Sequence, residues 1–118
     1  MGTIMEFSDI RQFEISTSRG KVRVRIMEFE NGQIFLLSDS EKFRLGLTAI
    51  AIPPNQGRAE PTSTGFLSAG IESTHIRTIA ERISSWVGQT CMIVAAVGNI
   101  DQPYMLELLT ALKEQILS

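Results

Sequence analysis

The chain has 118 residues, 43% hydrophobic and 20% charged, with eleven Lys and Arg against thirteen Asp and Glu for a formal charge of -2. That length makes one domain, residues 1–118, whose core needs neither disulfides nor metal. Both charge signs are spread along the sequence, which argues against nucleic acid as a partner. No run nears the roughly 18 apolar residues of a membrane span, and Met1-Gly2-Thr3-Ile4-Met5-Glu6-Phe7 lacks the basic and apolar regions of a signal peptide. A soluble cytoplasmic protein is expected, with no membrane contact.

Strand-like runs cover residues 7–16, 21–29 and 33–38, separated by Arg19-Gly20 and Asn31-Gly32. Asn-Gly between alternating runs is a strong hairpin signal. With two-residue turns at both places, Ile15 faces Val24, Phe13 faces Ile26, and Ile26 faces Leu37. Residues opposed in this way share a sheet face. One face therefore gathers Phe13, Ile15, Val24, Ile26, Phe35 and Leu37, which is a core face. The other pairs Glu14 with Arg25 at one end and collects Ile10, Met27, Phe29, Ile34 and Leu36 at the other. Those five are too many large apolar groups for a solvated surface. A second subunit would cover them, as would a loop or the N-terminal segment folded over the patch.

A fourth strand, residues 45–52, stops at Pro53-Pro54, because proline lacks the ladder donor and restricts its predecessor. Residues 53–61 have loop composition, and a fifth strand over 62–69 ends at Gly70. Ile76, Ile79, Ala80, Ile83 and Val87 recur at helical spacing over 73–87, with Ser73 or Thr74 to cap the start and Gly88 past the end. Residues 90–97, Thr-Cys-Met-Ile-Val-Ala-Ala-Val, are apolar at both parities, as in a strand covered on both faces. Asp101 caps a last helix with Pro103 in its first turn and Met105, Leu108, Leu109, Leu112 and Ile116 as its stripe. Two helices packed together cover one side of so small a sheet. The other side calls for a partner subunit.

Side chains suited to chemistry are few. The single Cys91 lies in the apolar strand, where it reads as a small buried hydrophobe, and it supports no disulfide and no metal site. His75 lacks partners at ligand spacing and reads as a surface or capping residue. Residues 65–70, Gly-Phe-Leu-Ser-Ala-Gly, fail as a nucleophile elbow because Phe66 stands where a glycine is required. Glu28 with Glu30 and Asp39 with Glu41 fit solvated strand ends. Trp86 has two readings, a packer at the core edge or an interface hot spot. No catalytic residue, cofactor or metal is expected, and the chain does not read as an enzyme.

From Gly65-Phe66-Leu67-Ser68 to Leu117 the order and filling of the elements resemble the small proteasome-assembly chaperones of types three and four, archaeal-type homologues included. Ile76-Arg77-Thr78-Ile79-Ala80-Glu81-Arg82-Ile83, Met92-Ile93-Val94-Ala95-Ala96-Val97 and residues 106–116 carry the resemblance, with Ile34-Phe35-Leu36-Leu37 and the loop after Ile52 in looser agreement. It implies an α+β fold with a six-stranded antiparallel sheet, element order β-β-β-β-β-α-β-α, and two helices on one face. It implies too a dimer through the other face, a homodimer or a heterodimer with a paralogue, that binds proteasome α-subunits and promotes α-ring assembly. The dimer interface would hold Ile10, Met27, Phe29, Ile34 and Leu36. The ending Gln115-Ile116-Leu117-Ser118 lacks the hydrophobic-Tyr-any tail of another class of proteasome-assembly factors. Contact with the α-subunit is therefore expected through surfaces and the 53–61 loop, with Asn55, Gln56, Arg58 and Glu60 as the loop's partner-binding residues. The rival reading is a small dimeric scaffold of the roadblock or longin kind, serving GTPases or trafficking complexes. In those folds a helix usually falls earlier, so the late helices favour the chaperone.

Overall fold

A computed structural model describes residues 9–54, 62–66 and 70–117. Strands β1 (Ile10–Thr17), β2 (Gly20–Phe29), β3 (Gly32–Ser38), β4 (Leu47–Ile52) and β5 (Thr62–Phe66) precede helix α1 (Gly70–Val87), strand β6 (Thr90–Ala96) and helix α2 (Gln102–Leu117). The strands form one sheet in the order β1-β2-β3-β6-β4-β5.

The sheet is mixed, which corrects the antiparallel expectation: β6 runs parallel to β3 and antiparallel to β4. Chain direction requires this. β4 runs opposite to β3, and β6 enters between them. A strand inserted between two opposed strands must be parallel to one of them. The parallel pair also needs a long crossover, supplied by β4, β5 and α1. Its central place explains why β6 is apolar at both parities.

Both N-terminal turns fall one residue earlier than the glycines suggest, on Ser18-Arg19 and Glu30-Asn31. Every cross-strand partner therefore moves by two: Ile15 faces Val22, Phe13 faces Val24, and Ile26 faces Phe35. A shift of two keeps parity, so the faces remain as expected. Thr17 sets the first turn, its Oγ1 accepting from the Arg19 amide at 3.1 Å and donating to the Gly20 carbonyl at 2.7 Å. Gly20 opens β2 at φ +109°, a conformation costly for any side chain. Gly32 answers a different need. A Cβ there would lie 2.6 Å from the Thr90 carbonyl oxygen, so glycine allows β3 to approach β6.

The core lies between the sheet and the helix pair. Val22, Val24, Ile26, Phe35 and Leu37, with Ala49, Ala51, Cys91 and Ile93, are buried under Ile76, Ile79, Ala80 and Ile83 of α1 and Leu108 and Leu112 of α2. Phe13 packs half-buried at its edge. α1 starts before residue 73, so Ser73 and Thr74 are inside the helix and do not cap it. Thr78 donates its hydroxyl to the Thr74 carbonyl. Gly88 ends α1 at φ +69°, its amide bonded to the Ser84 carbonyl at 2.9 Å. Asp101 caps α2, with Oδ1 accepting the Tyr104 amide at 3.0 Å. The end of the fifth expected strand, residues 67–69, lies outside the described residues.

Candidate interaction surface

On the face turned away from the helices, register places one apolar residue from each of five strands in a row. Ile10 faces Met27, Met27 faces Ile34, Ile34 faces Met92, and Met92 faces Ile50. All five are half-buried. Phe29 and Ile52 extend the band toward the sheet end at 49% and 46% exposure. Leu36, on the other side of the row, is also half-buried. The expected interface residues Ile10, Met27, Phe29, Ile34 and Leu36 thus share one continuous patch. Met92, Ile50 and Ile52 complete it. Their membership depends on which strands flank β3, and the only sequence signal for it was the doubly apolar pattern of residues 90–97.

The remainder of this face is closed from within. Segment 39–46 crosses it, with Phe43 under the Arg25 guanidinium at 4.6 Å and the Ser38 hydroxyl donating to the Lys42 carbonyl at 2.6 Å. Ser38, Thr48 and Val94 are buried on this side. Arg25 donates to Gln12 rather than to Glu14, which pairs with Arg23 at 3.7 Å and Lys21 at 4.0 Å. Of the covers considered for this face, a loop occupies the polar half, the apolar half stays uncovered by the described residues, and the N-terminal segment, residues 1–8, lies outside them. Asn55, Gln56, Arg58 and Glu60 of the expected partner-binding loop lie outside the described residues.

A polar clasp ties the β1–β2 hairpin to the start of α2. Arg19 lies over the Tyr104 ring at 4.3 Å, donates to the Asn99 carbonyl and pairs with Asp101 at 2.6 Å. Thr17 shares a hydrogen bond with the Tyr104 hydroxyl, and the Ser18 hydroxyl donates to Glu107 at 2.8 Å. The Tyr104 amide, and then the Arg19 guanidinium, hold the Asp101 carboxyl below its ordinary value. A cleft of about 710 Å³ opens beside the clasp, lined by Arg19, Asp39, Gly98, Asn99, Asp101 and Tyr104 among others. Its charged groups are engaged with one another: Asp39 accepts the Gly98 amide at 3.0 Å and pairs with Arg44 at 3.1 Å.

The remaining reactive types have structural surroundings. His75 is buried, contrary to the surface or capping reading, and its Nδ1 donates to the Ile100 carbonyl at 2.8 Å, since a carbonyl only accepts. α1 folds it inward, where it joins the helix to the loop before α2. Burial pushes the Cys91 thiol up to about 12, so it stays protonated and is a poor nucleophile. Arg77 and Glu81 of α1 both bond the Ser63 hydroxyl, which fastens β5 to the helix. Trp86 is half-buried at the core edge, with the Lys113 ammonium 5.8 Å from its ring centre. Among the described residues no three His, Cys, Asp or Glu gather to hold a metal ion, and no helix is long and apolar enough to cross a membrane.

No family model matches this sequence, and no curated protein matches it. Among solved structures, the fold is similar to a chain from the crystal structure of a chaperone complex for yeast 20S proteasome assembly. The TM-score is 0.63 at 15% identity, and the match covers 93% of this chain and 99% of that one. The likeness at this identity is one of fold.

Proposed function

We propose that this chain is a proteasome-assembly chaperone of the small type-three or type-four kind, a non-catalytic dimer that binds α-subunits in the cytoplasm and promotes their assembly into a ring. The observation that carries this reading is the fold likeness to a chain of the yeast assembly-chaperone complex, which extends over nearly the full length of both chains. The apolar band Ile10–Met27–Ile34–Met92–Ile50 supports the dimer, because a solvated monomer seldom leaves so large an apolar patch exposed. A matchmaker of this kind holds subunits in the orientation of the ring and leaves when incoming subunits compete for an overlapping surface, a shift driven by differential affinity.

The test is native mass spectrometry of the purified chain with α-subunits from the same organism. A complex containing the dimer and an α-subunit is expected. Failure to detect one over a range of salt concentrations overturns the reading.

A further inference from the structure

Asn31-Gly32 suggested a turn, but the turn is Glu30-Asn31 and Gly32 belongs to β3. Glycine is required there by β6, because a Cβ would lie 2.6 Å from the Thr90 carbonyl oxygen. The fold thereby places an exposed asparagine directly before a buried residue that has no side chain. Glu28 gives its amide to the Asp9 carbonyl on the β1 side. Backbone groups alternate along a strand, so Phe29 turns its amide and carbonyl the other way, to its partner Gly32. That pair is the last rung of the β2–β3 ladder, and it holds the Gly32 N–H.

An asparagine side chain can close a ring onto the main-chain nitrogen of the next residue, and a side chain on that residue hinders the approach. We infer that Asn31 is a self-modification site, converted by the Gly32 nitrogen to aspartate and isoaspartate. The reaction starts when the last rung opens, as the ends of ladders do most readily. The Gly32 nitrogen gives its proton to hydroxide and attacks Asn31 Cγ. The new N–Cγ bond forms, the bond from Cγ to the side-chain nitrogen breaks, and that nitrogen takes a proton from water and leaves as ammonia. Water then opens the resulting succinimide at either carbonyl, with no oxidation or reduction. Either product adds a carboxylate beside the exposed Glu28 and Glu30, and isoaspartate also carries an extra main-chain atom into a two-residue turn. Both changes act on the rung that sets β2 against β3. Asn99 lacks these conditions: buried, β-branched Ile100 follows it, and its carbonyl accepts from the Arg19 guanidinium and the Asp101 amide. The reaction needs no partner and is independent of the chaperone reading.

The experiment incubates the purified chain at neutral and mildly alkaline pH, folded and in urea, and follows its peptides by mass spectrometry. The Asn31 peptide gains the mass of an amide turned to an acid, faster at the higher pH, and chromatography resolves it into aspartate and isoaspartate forms. The Asn99 peptide of the folded chain keeps its amide. Opening one rung costs the folded chain about a tenfold delay relative to urea. The exposed position lets Asn31→Ser keep the fresh wild-type urea midpoint, and on ageing the midpoint falls for wild type and stays for Asn31→Ser. An Asn31 that remains an amide in the folded chain after the allowed delay overturns the site, as does equal conversion at Asn99. Conversion with an unchanged midpoint overturns the effect on the hairpin.

Discussion

Asp101 accepts the Tyr104 amide with one carboxylate oxygen and pairs with Arg19 through the other, so one side chain both caps α2 and clasps the hairpin to it. Both interactions are stronger with the ionised form, which is why its pKa lies below the ordinary 3.8. A depressed carboxylate contributes stability above its unfolded pKa and loses it as pH falls through the folded one. Asp101→Asn keeps a capping oxygen and removes the charge. The wild type should be the more stable of the two at neutral pH, and the gap should close as the acid range is entered. Urea midpoints across that range measure it, and a gap independent of pH would show that the charge contributes nothing. This cap was legible in the sequence, as was Gly88, because donor, acceptor and helix end lie within a few residues of each other. Gly32 was legible only as a glycine. The backbone that requires it is Thr90, a neighbour of β3 only after folding.

At the scale of elements, types and faces were largely readable and sheet order was not. Alternation over β1, β2 and β3 survives a register error of two residues, so Val24, Ile26, Phe35 and Leu37 were assigned to the core with the wrong partners. The parallel β3–β6 contact was beyond reach because it depends on where a strand whose residues lie 58 positions further along the chain inserts, and both edges of an apolar strand accept a neighbour. Gly46 marks that insertion on the other side. A Cβ added at Gly46 would run into the Ala95 carbonyl oxygen of β6. The obstacle is backbone, so Gly46→Ala must displace either β6 or the start of β4. Gly46→Ala should lose about 1–3 kcal/mol, as overpacking does, and urea unfolding would read it directly. A midpoint equal to wild type would mean that β4 does not approach β6 so closely.

For the whole molecule, the two sides of the sheet are unequal. The helix side is closed by α1 and α2, and the far side is closed at one end by segment 39–46 but presents Ile10, Met27, Phe29, Ile34, Met92, Ile50 and Ile52 at the other. In the proposed dimer a second copy covers that band. Met92 lies in the middle of the row, between Ile34 and Ile50, so a carboxylate placed there would be desolvated without a partner, at a cost of several kcal/mol. Lys21 lies on the same face at the charged end, near Glu14, and a change of charge there leaves the band intact. Sedimentation at micromolar concentration should therefore find wild type and Lys21→Glu as dimers and Met92→Asp as a monomer. Cooperative urea unfolding of Met92→Asp would separate loss of the interface from loss of the fold, because half-buried Met92 faces away from the helix-covered core. A wild type that sediments with the mass of one chain would remove the dimer, and an unchanged dimer in Met92→Asp would move its interface off this band.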